Sequence, residues 1–254
     1  MHRPMNPGRL IAAFCTALVL VTGLGYVASQ SFLARPDIVV GTQQPYVGAA
    51  APAPAAAADH HGSKKRSGPT TVDAQWVADT AAKAGIPAPA IRAYANAQLS
   101  EPDGCDVGWT TLAGIGWVES QHGTIGGRTL GEDGHSSTPI LGPALNGKGK
   151  VAAIPATPET SAWHGDLRWD HAVGPLQFIP STWETWATDG DGDGTADPND
   201  LDDAAAAAAR YLCADGYDLR SGSGWADAIF SYNHAQAYVD SVYAAASAYA
   251  DRTG

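Results

Sequence analysis

The chain has 254 residues, of which 44% are hydrophobic and 16% charged, a profile that excludes a wholly disordered or collagen-like polymer. The formal net charge is −11; six of the 15 Lys/Arg but only two of the 26 Asp/Glu lie up to Val72, leaving nine against twenty-four beyond it. A body that acidic, with no basic stripe to follow phosphates, excludes nucleic acid as the partner.

In chain order, Arg3 and Arg9 precede an apolar run from Leu10 to Ser29. Basic residues before an apolar core are the layout of an export signal, and the run is also long enough to span a membrane. Residues 1–29 are therefore expected to be a signal peptide or an uncleaved signal anchor. The protein is expected to be exported to the cell envelope, secreted or held on the cytoplasmic membrane by an N-terminal apolar helix. Residues 30–72 show no helical or strand period and become Pro/Ala-rich, which predicts a disordered linker. His60 and His61 within it read as solvated.

The folded part is expected over residues 73–254, mainly α, with a long irregular insertion. VDAQWVADTAAKAG is an amphipathic helix ended by Gly85 and Pro87, and PAPAIRAYANAQLSE is a second. WTTLAGIGWVESQHG is a third, almost wholly apolar until Glu119 and stopped by Gly123. A Gly/Pro-rich stretch from Thr124 to about Asp170 is read as irregular, with a short hairpin around Glu132-Asp133-Gly134. IPSTWETWA begins a further helix, where Ser181 and Glu184 have capping-box spacing. LDDAAAAAARYLCADG and GWADAIFSYNHAQAYVDSVYAAASAYA are read as one helix each. With Cys15 inside the apolar run, two cysteines remain for an exported body, which predicts a Cys105–Cys213 disulfide.

Four segments carry chemistry. Glu119 ends an apolar helix; partial desolvation there raises a carboxyl's pKa and keeps a proton available near neutral pH. A glycosidic oxygen leaves only when protonated, so such an acid suits glycan cleavage, although a Glu at a helix end is ordinarily a surface residue. In HAVGPLQFIPSTW, Gln177 lies between the Gly174-Pro175 turn and Pro180; it either offers its amide to sugar groups or is exposed on a structural turn. Trp183 and Trp186 are aromatics able to stack on sugar faces.

DGDGDGTADPND places Asp189, Asp191, Asp193 and Asp197 at positions one, three, five and nine, with Gly194 at six, the register of an EF-hand-type calcium loop. Position twelve is Asp200, with Asp203 at the mouth of the next helix competing for that role. In FSYNHAQAYV, Tyr232 shares a helical stripe with Trp225, Ile229 and Val239, so it reads first as core, with Asn233 and His234 at the stripe's edge. Zinc-protease, nucleophile-elbow, phosphate-loop and CxxC motifs are missing from the sequence.

GWVESQHG, AVGPLQFIPSTW, DGDGDGTADPND and SYNHAQAYV together resemble, in order and spacing, the soluble-type lytic murein transglycosylases, the branch similar to membrane-bound transglycosylase B, over about residues 73–250. The resemblance implies a lysozyme-like α domain with an EF-hand-type loop holding a structural Ca2+. It also implies cleavage of peptidoglycan at the bond between N-acetylmuramic acid and N-acetylglucosamine, without water, leaving a 1,6-anhydro end. Carried over, Glu119 is the single acid/base, and Gln177, Tyr232 and Asn233 are substrate-binding. Asp189, Asp191, Asp193, the carbonyl of Thr195, and Asp203 rather than Asp200 hold the calcium. Trp117 and Gln121 flank Glu119 where the family varies. Two alternatives remain open: a lysozyme-type hydrolase of the same bond, and a non-catalytic calcium-dependent wall-binding module.

Overall fold

The computed structural model describes residues 71–100, 105–149 and 151–254. The expected N-terminal apolar helix and most of the linker lie outside them. Among the described residues there are eight α-helices and no named strand: α1 Ala74–Ala84, α2 Ala88–Leu99, α3 Trp109–Ser120, α4 Pro158–His164, α5 Pro180–Trp186, α6 Leu201–Ala214, α7 Gly222–Tyr232 and α8 Gln236–Thr253. None of them is long and apolar enough to cross a membrane. The mainly α expectation therefore holds.

Local chemistry explains the ends. Asp73 caps α1 by accepting from the Trp76 amide at 2.8 Å, and Asp200 caps α6 by accepting from the Asp202 amide at 2.8 Å. Both satisfy backbone donors that the first helical turn leaves open. The capping box expected at Ser181 is not formed. Pro180 takes the first helical position, so Ile179 is the N-cap, without a side-chain bond, and the exposed Ser181 falls inside the first turn.

The core lies between α3 and its neighbours. α3 is apolar on every side, and such a helix has to be buried all round; α8 packs along it, and α2 crosses between it and α6. Ala204, Ala205, Ala207 and Ala208 of α6 are wholly buried, and their small side chains let α2 approach closely. Tyr94, Trp109, Leu112, Ile115, Leu176, Phe178 and Ile229 fill the centre.

The Cys105–Cys213 disulfide is formed, with Cα atoms 5.6 Å apart, joining the segment before α3 to the end of α6. Closing a loop of this length contributes on the order of 4–5 kcal/mol at most.

The stretch after α3 is more ordered than its composition predicts. The hairpin is present as the Leu130–Ser136 bridge, with the Gly131 amide donating to the His135 carbonyl at 2.8 Å. Further bridges join Leu141 to Val173 and Pro155 to Trp169, and Leu145, Val151, Ile154, Ala172 and Ile179 form a second small core. Within this stretch α4 is a real helix, capped by the reciprocal Thr157/Thr160 box, started by Pro158 and ended by left-handed Gly165. The final segment also departs from expectation. It breaks at Asn233, whose extended φ of −145° ends α7 before α8 begins.

Candidate active site

Glu119 sits in the last turn of α3. The helix stops at Ser120, ahead of the expected Gly123, because Gln121 and His122 adopt left-handed φ values of 54° and 59°. The His122 amide folds back onto the Gly116 carbonyl at 2.9 Å and the Gln121 amide onto Trp117 at 3.0 Å, closing the open carbonyls of the helix end. Ser120 Oγ accepts from the Gly123 amide at 2.7 Å and donates to the Pro175 carbonyl at 2.6 Å. That last bond ties the end of α3 to the turn carrying Gln177.

The Glu119 side chain is buried more deeply than a helix-lip position suggests, with 1% of the residue exposed. Its Oε1 accepts from the Tyr238 hydroxyl at 2.7 Å, while Oε2 is buried with no hydrogen-bond partner among the described residues. Burial pushes the carboxyl from its ordinary 4.5 up to about 8, an effect the Tyr238 bond only partly offsets. At neutral pH the group is therefore a carboxylic acid. With Oε1 engaged as an acceptor, Oε2 is the oxygen left to carry the proton.

Tyr238, in the first turn of α8, was hidden in the sequence. Its spacing from Val242 and Tyr249 marks it as core, and it is 3% exposed. The break after Tyr232 is what turns it toward Glu119. Burial, followed by the charge of Glu119, raises its own pKa well above the ordinary phenol value, so the hydroxyl keeps its proton to donate. The signal that would have found it is a tyrosine six residues beyond Tyr232, read across a helix break.

The remaining candidates form the surroundings of this pair. Tyr232 ends α7; its ring stacks on Tyr238, with centroids 6.4 Å apart and planes within 7°, and its hydroxyl donates to the Leu176 carbonyl at 2.9 Å. Asn233, the C-cap of α7, is wholly buried, and neither end of its amide has a hydrogen-bond partner among the described residues.

Gln177 is 2% exposed, so the exposed-turn alternative is excluded. It has a left-handed φ of 52°; its Nε2 donates to the Gly174 carbonyl at 2.8 Å, and its Oε1 has no partner among the described residues. The contacts Glu119–Tyr238–Tyr232–Leu176 and Ser120–Pro175 thus bring the end of α3, the 174–178 turn and the α7–α8 junction into one place. Trp183 packs edge-on against Phe178 at 5.3 Å, and Trp186 against Tyr211 at 5.7 Å. Trp183 is therefore core rather than a sugar platform.

In the acidic loop, carboxylate oxygens of Asp189, Asp191 and Asp203 lie within 4.8 Å of one another. The oxygens are oriented by backbone amides: Gly190 and Asp197 donate to Asp203 at 2.6 and 2.8 Å, and Gly192 and Gly194 donate to Asp189 at 2.7 and 3.0 Å. Asp193 accepts from the Thr195 amide at 2.7 Å and stands outside that cluster. Asp200 faces the other way, as the α6 cap beside His135. The end of the loop touches the turn carrying Gln177: Gly174 has a φ of 76°, and a side chain there would run into the Pro198 carbonyl.

No curated protein and no solved structure matches the chain. Residues 159–227 match the model of the transglycosylase SLT domain, a span that includes Gln177, the acidic loop and Asp203 but stops short of Glu119, Tyr232, Asn233 and Tyr238. The match supports a transglycosylase-type enzyme that acts on the glycan strands of peptidoglycan.

Proposed function

We propose that the protein is a lytic transglycosylase of the branch similar to membrane-bound transglycosylase B, built on a lysozyme-like α domain over residues 73–254. It cleaves the β-1,4 bond between N-acetylmuramic acid and N-acetylglucosamine without water. The observation that carries this reading is the neutral, buried Glu119 carboxyl, with a phenol on one oxygen and the other oxygen unpartnered. Among the described residues no other carboxylate contributes to the Glu119 shift, whereas a two-carboxylate glycosidase pairs its acid with a second one.

Glu119 Oε2 gives its proton to the bridging oxygen as the C1–O4 bond breaks, so the leaving sugar departs as a neutral alcohol. The resulting carboxylate is held by the Tyr238 hydroxyl while positive charge develops at C1. It then takes the proton of the muramoyl 6-hydroxyl as that oxygen bonds to C1. This closes the 1,6-anhydro ring and returns Glu119 to its starting form. Gln177 Oε1 and the Asn233 amide, buried without partners, are the groups that hydrogen-bond the substrate's N-acetyl and hydroxyl groups. Because Glu119 is closed from water, a strand enters by displacing the side chains over Oε2.

The acidic loop fits a hard cation, since three carboxylates converge and supply oxygen ligands only. Asp189, Asp191 and Asp203 would hold Ca2+, joined by Asp193 and the Thr195 carbonyl. The ion would neutralise the loop and, through Pro198 and Gly174, brace the turn bearing Gln177. It takes no part in proton transfer. Export to the cell envelope, secreted or on the cytoplasmic membrane, places the enzyme with its substrate. Because the body is acidic, these polar contacts rather than long-range attraction hold an anionic wall polymer.

The test is digestion of purified peptidoglycan followed by mass spectrometry of the released muropeptides. Anhydro-muramoyl ends are expected. Reducing ends alone would replace this reading with a lysozyme-type hydrolase, and binding without any release would replace it with a wall-binding module.

A further inference from the structure

A second polar contact joins the end of α3 to α8, away from the catalytic carboxyl. His122 is 2% exposed. Its Nδ1 lies 3.1 Å from the Tyr94 hydroxyl on α2, and its Nε2 lies 2.9 Å from the Tyr249 hydroxyl on α8. Burial lowers the imidazole from 6.5 to about 3, so the ring is neutral, with one nitrogen donating and the other accepting. Tyr94 is wholly buried and Tyr249 is 5% exposed. These two phenols are the titratable groups facing the ring, with Arg252 lying 5.8 Å from the Tyr249 ring. Trp117 covers another side at 5.8 Å.

Two locally unfavourable choices meet in this network. A histidine with positive φ is uncommon, and Gly116 sits inside a helix, which costs roughly 0.5–1 kcal/mol relative to alanine. Both serve the same geometry. A side chain at position 116 would run into the Tyr94 hydroxyl, and only the left-handed turn folds His122 back over Gly116. Tyr249 and Tyr238 are eleven residues apart on α8 (249 minus 238), about 16 Å along the helix. α8 is therefore pinned to the end of α3 at two separated points, Tyr238 on Glu119 and Tyr249 on His122.

We propose that the Tyr94–His122–Tyr249 network is a positioning device for the Glu119–Tyr238 pair. It fixes the turn beyond α3 to the far half of α8, and so keeps the Tyr238 hydroxyl on Glu119 Oε1. His122 touches no reacting atom and acts through the helix that carries Tyr238. The inference rests on the proposed role of Glu119, but its test does not require substrate.

Glutamate carboxyls are labelled with carbon-13, Glu119 is assigned with Glu119→Gln, and its titration midpoint is followed by NMR. The Tyr238 bond lowers that midpoint, so Tyr238→Phe raises it above the wild-type value. Tyr249→Phe, which deletes one remote hydroxyl and keeps the ring, is expected to raise it in the same direction by about half a pH unit or more. It is expected to add nothing in the Tyr238→Phe background. A midpoint that stays put or falls in Tyr249→Phe overturns the proposal. Tyr94→Phe repeats the test from α2 should Tyr249→Phe not fold.

Kinetically, Tyr249→Phe is expected to lower kcat about tenfold with KM changed less than about twofold. An equal loss in the Tyr238→Phe background would reveal a purely structural role and reject positioning. A coupled midpoint in a chain that releases no anhydro-muropeptides would refute the peptidoglycan reading and leave the positioning inference standing. Anhydro release with an uncoupled midpoint would do the reverse.

Discussion

Two acidic regions of this molecule treat the same functional group in opposite ways. Glu119 is one carboxyl removed from water and given a single phenol, so it holds a proton at neutral pH. The 189–203 loop bunches several carboxylates near the surface and supplies them with backbone amides. Asp203 is also pushed up, chiefly by burial; the Asp197 and Gly190 amides offset part of this, and the charges of Asp191 and Asp189 add to it. What differs is the species that relieves each site. Isolation in an apolar setting calls for a proton, whereas crowding of oriented oxygens calls for a cation.

Changes at Glu119 would break that comparison most severely. Its folded pKa, about 8, lies above its ordinary 4.5. The stability gained from keeping it neutral is therefore full below about pH 4.5 and is lost as pH rises through 8. The total is on the order of 5 kcal/mol. Denaturant unfolding across that window should show Glu119→Gln gaining on wild type with rising pH; parallel curves would mean the carboxyl is not buried.

The same substitution removes the proposed proton donor, and strand cleavage is expected to fall about a thousandfold, within the range for a general acid. Turbidity clearance of a cell-wall suspension by the folded variant measures it.

The loop would give a smaller effect through the Ca2+ proposed for it. Removing calcium held at a hundredfold excess over its Kd lowers stability by about 2.7 kcal/mol. A thermal melt with chelator, then with calcium restored, reads this as several degrees lost and regained. Smallest is Asp191→Asn. It relieves repulsion in the chelated protein and raises its Tm by roughly a degree, while weakening the response to calcium. A variant that melts lower without the ion and responds equally with it would show that the loop is not a cation site.

The parts visible in the sequence are those set by local spacing. Glu119 ends an apolar helix and the Asp-Gly alternation announces the loop, whereas the start and stop signals of α4, Thr157-Pro158 and Gly165, are masked by the Gly/Pro-rich composition of a stretch that reads as irregular. Tyr238 was hidden because the α7–α8 break falls at Asn233-His234-Ala235, where neither Gly nor Pro marks it, so its stripe reads as core. The left-handed Gln121 and His122 were hidden for a similar reason: Gly123 offers the obvious stop, and only the long-range partners Tyr94 and Tyr249 bring the turn forward. Ser181 shows the converse error, in which a correct capping spacing is overridden by a proline one residue earlier.

The most direct measurement is the pH dependence of kcat/KM for cleavage of soluble glycan strands. Wild type should lose activity along a descending limb centred near pH 8, as Glu119 surrenders the proton it must donate, and Glu119→Gln should be about a thousandfold slower, with no such limb. Undiminished cleavage through pH 9, or a Glu119→Gln variant that still cuts at the wild-type rate, would contradict it.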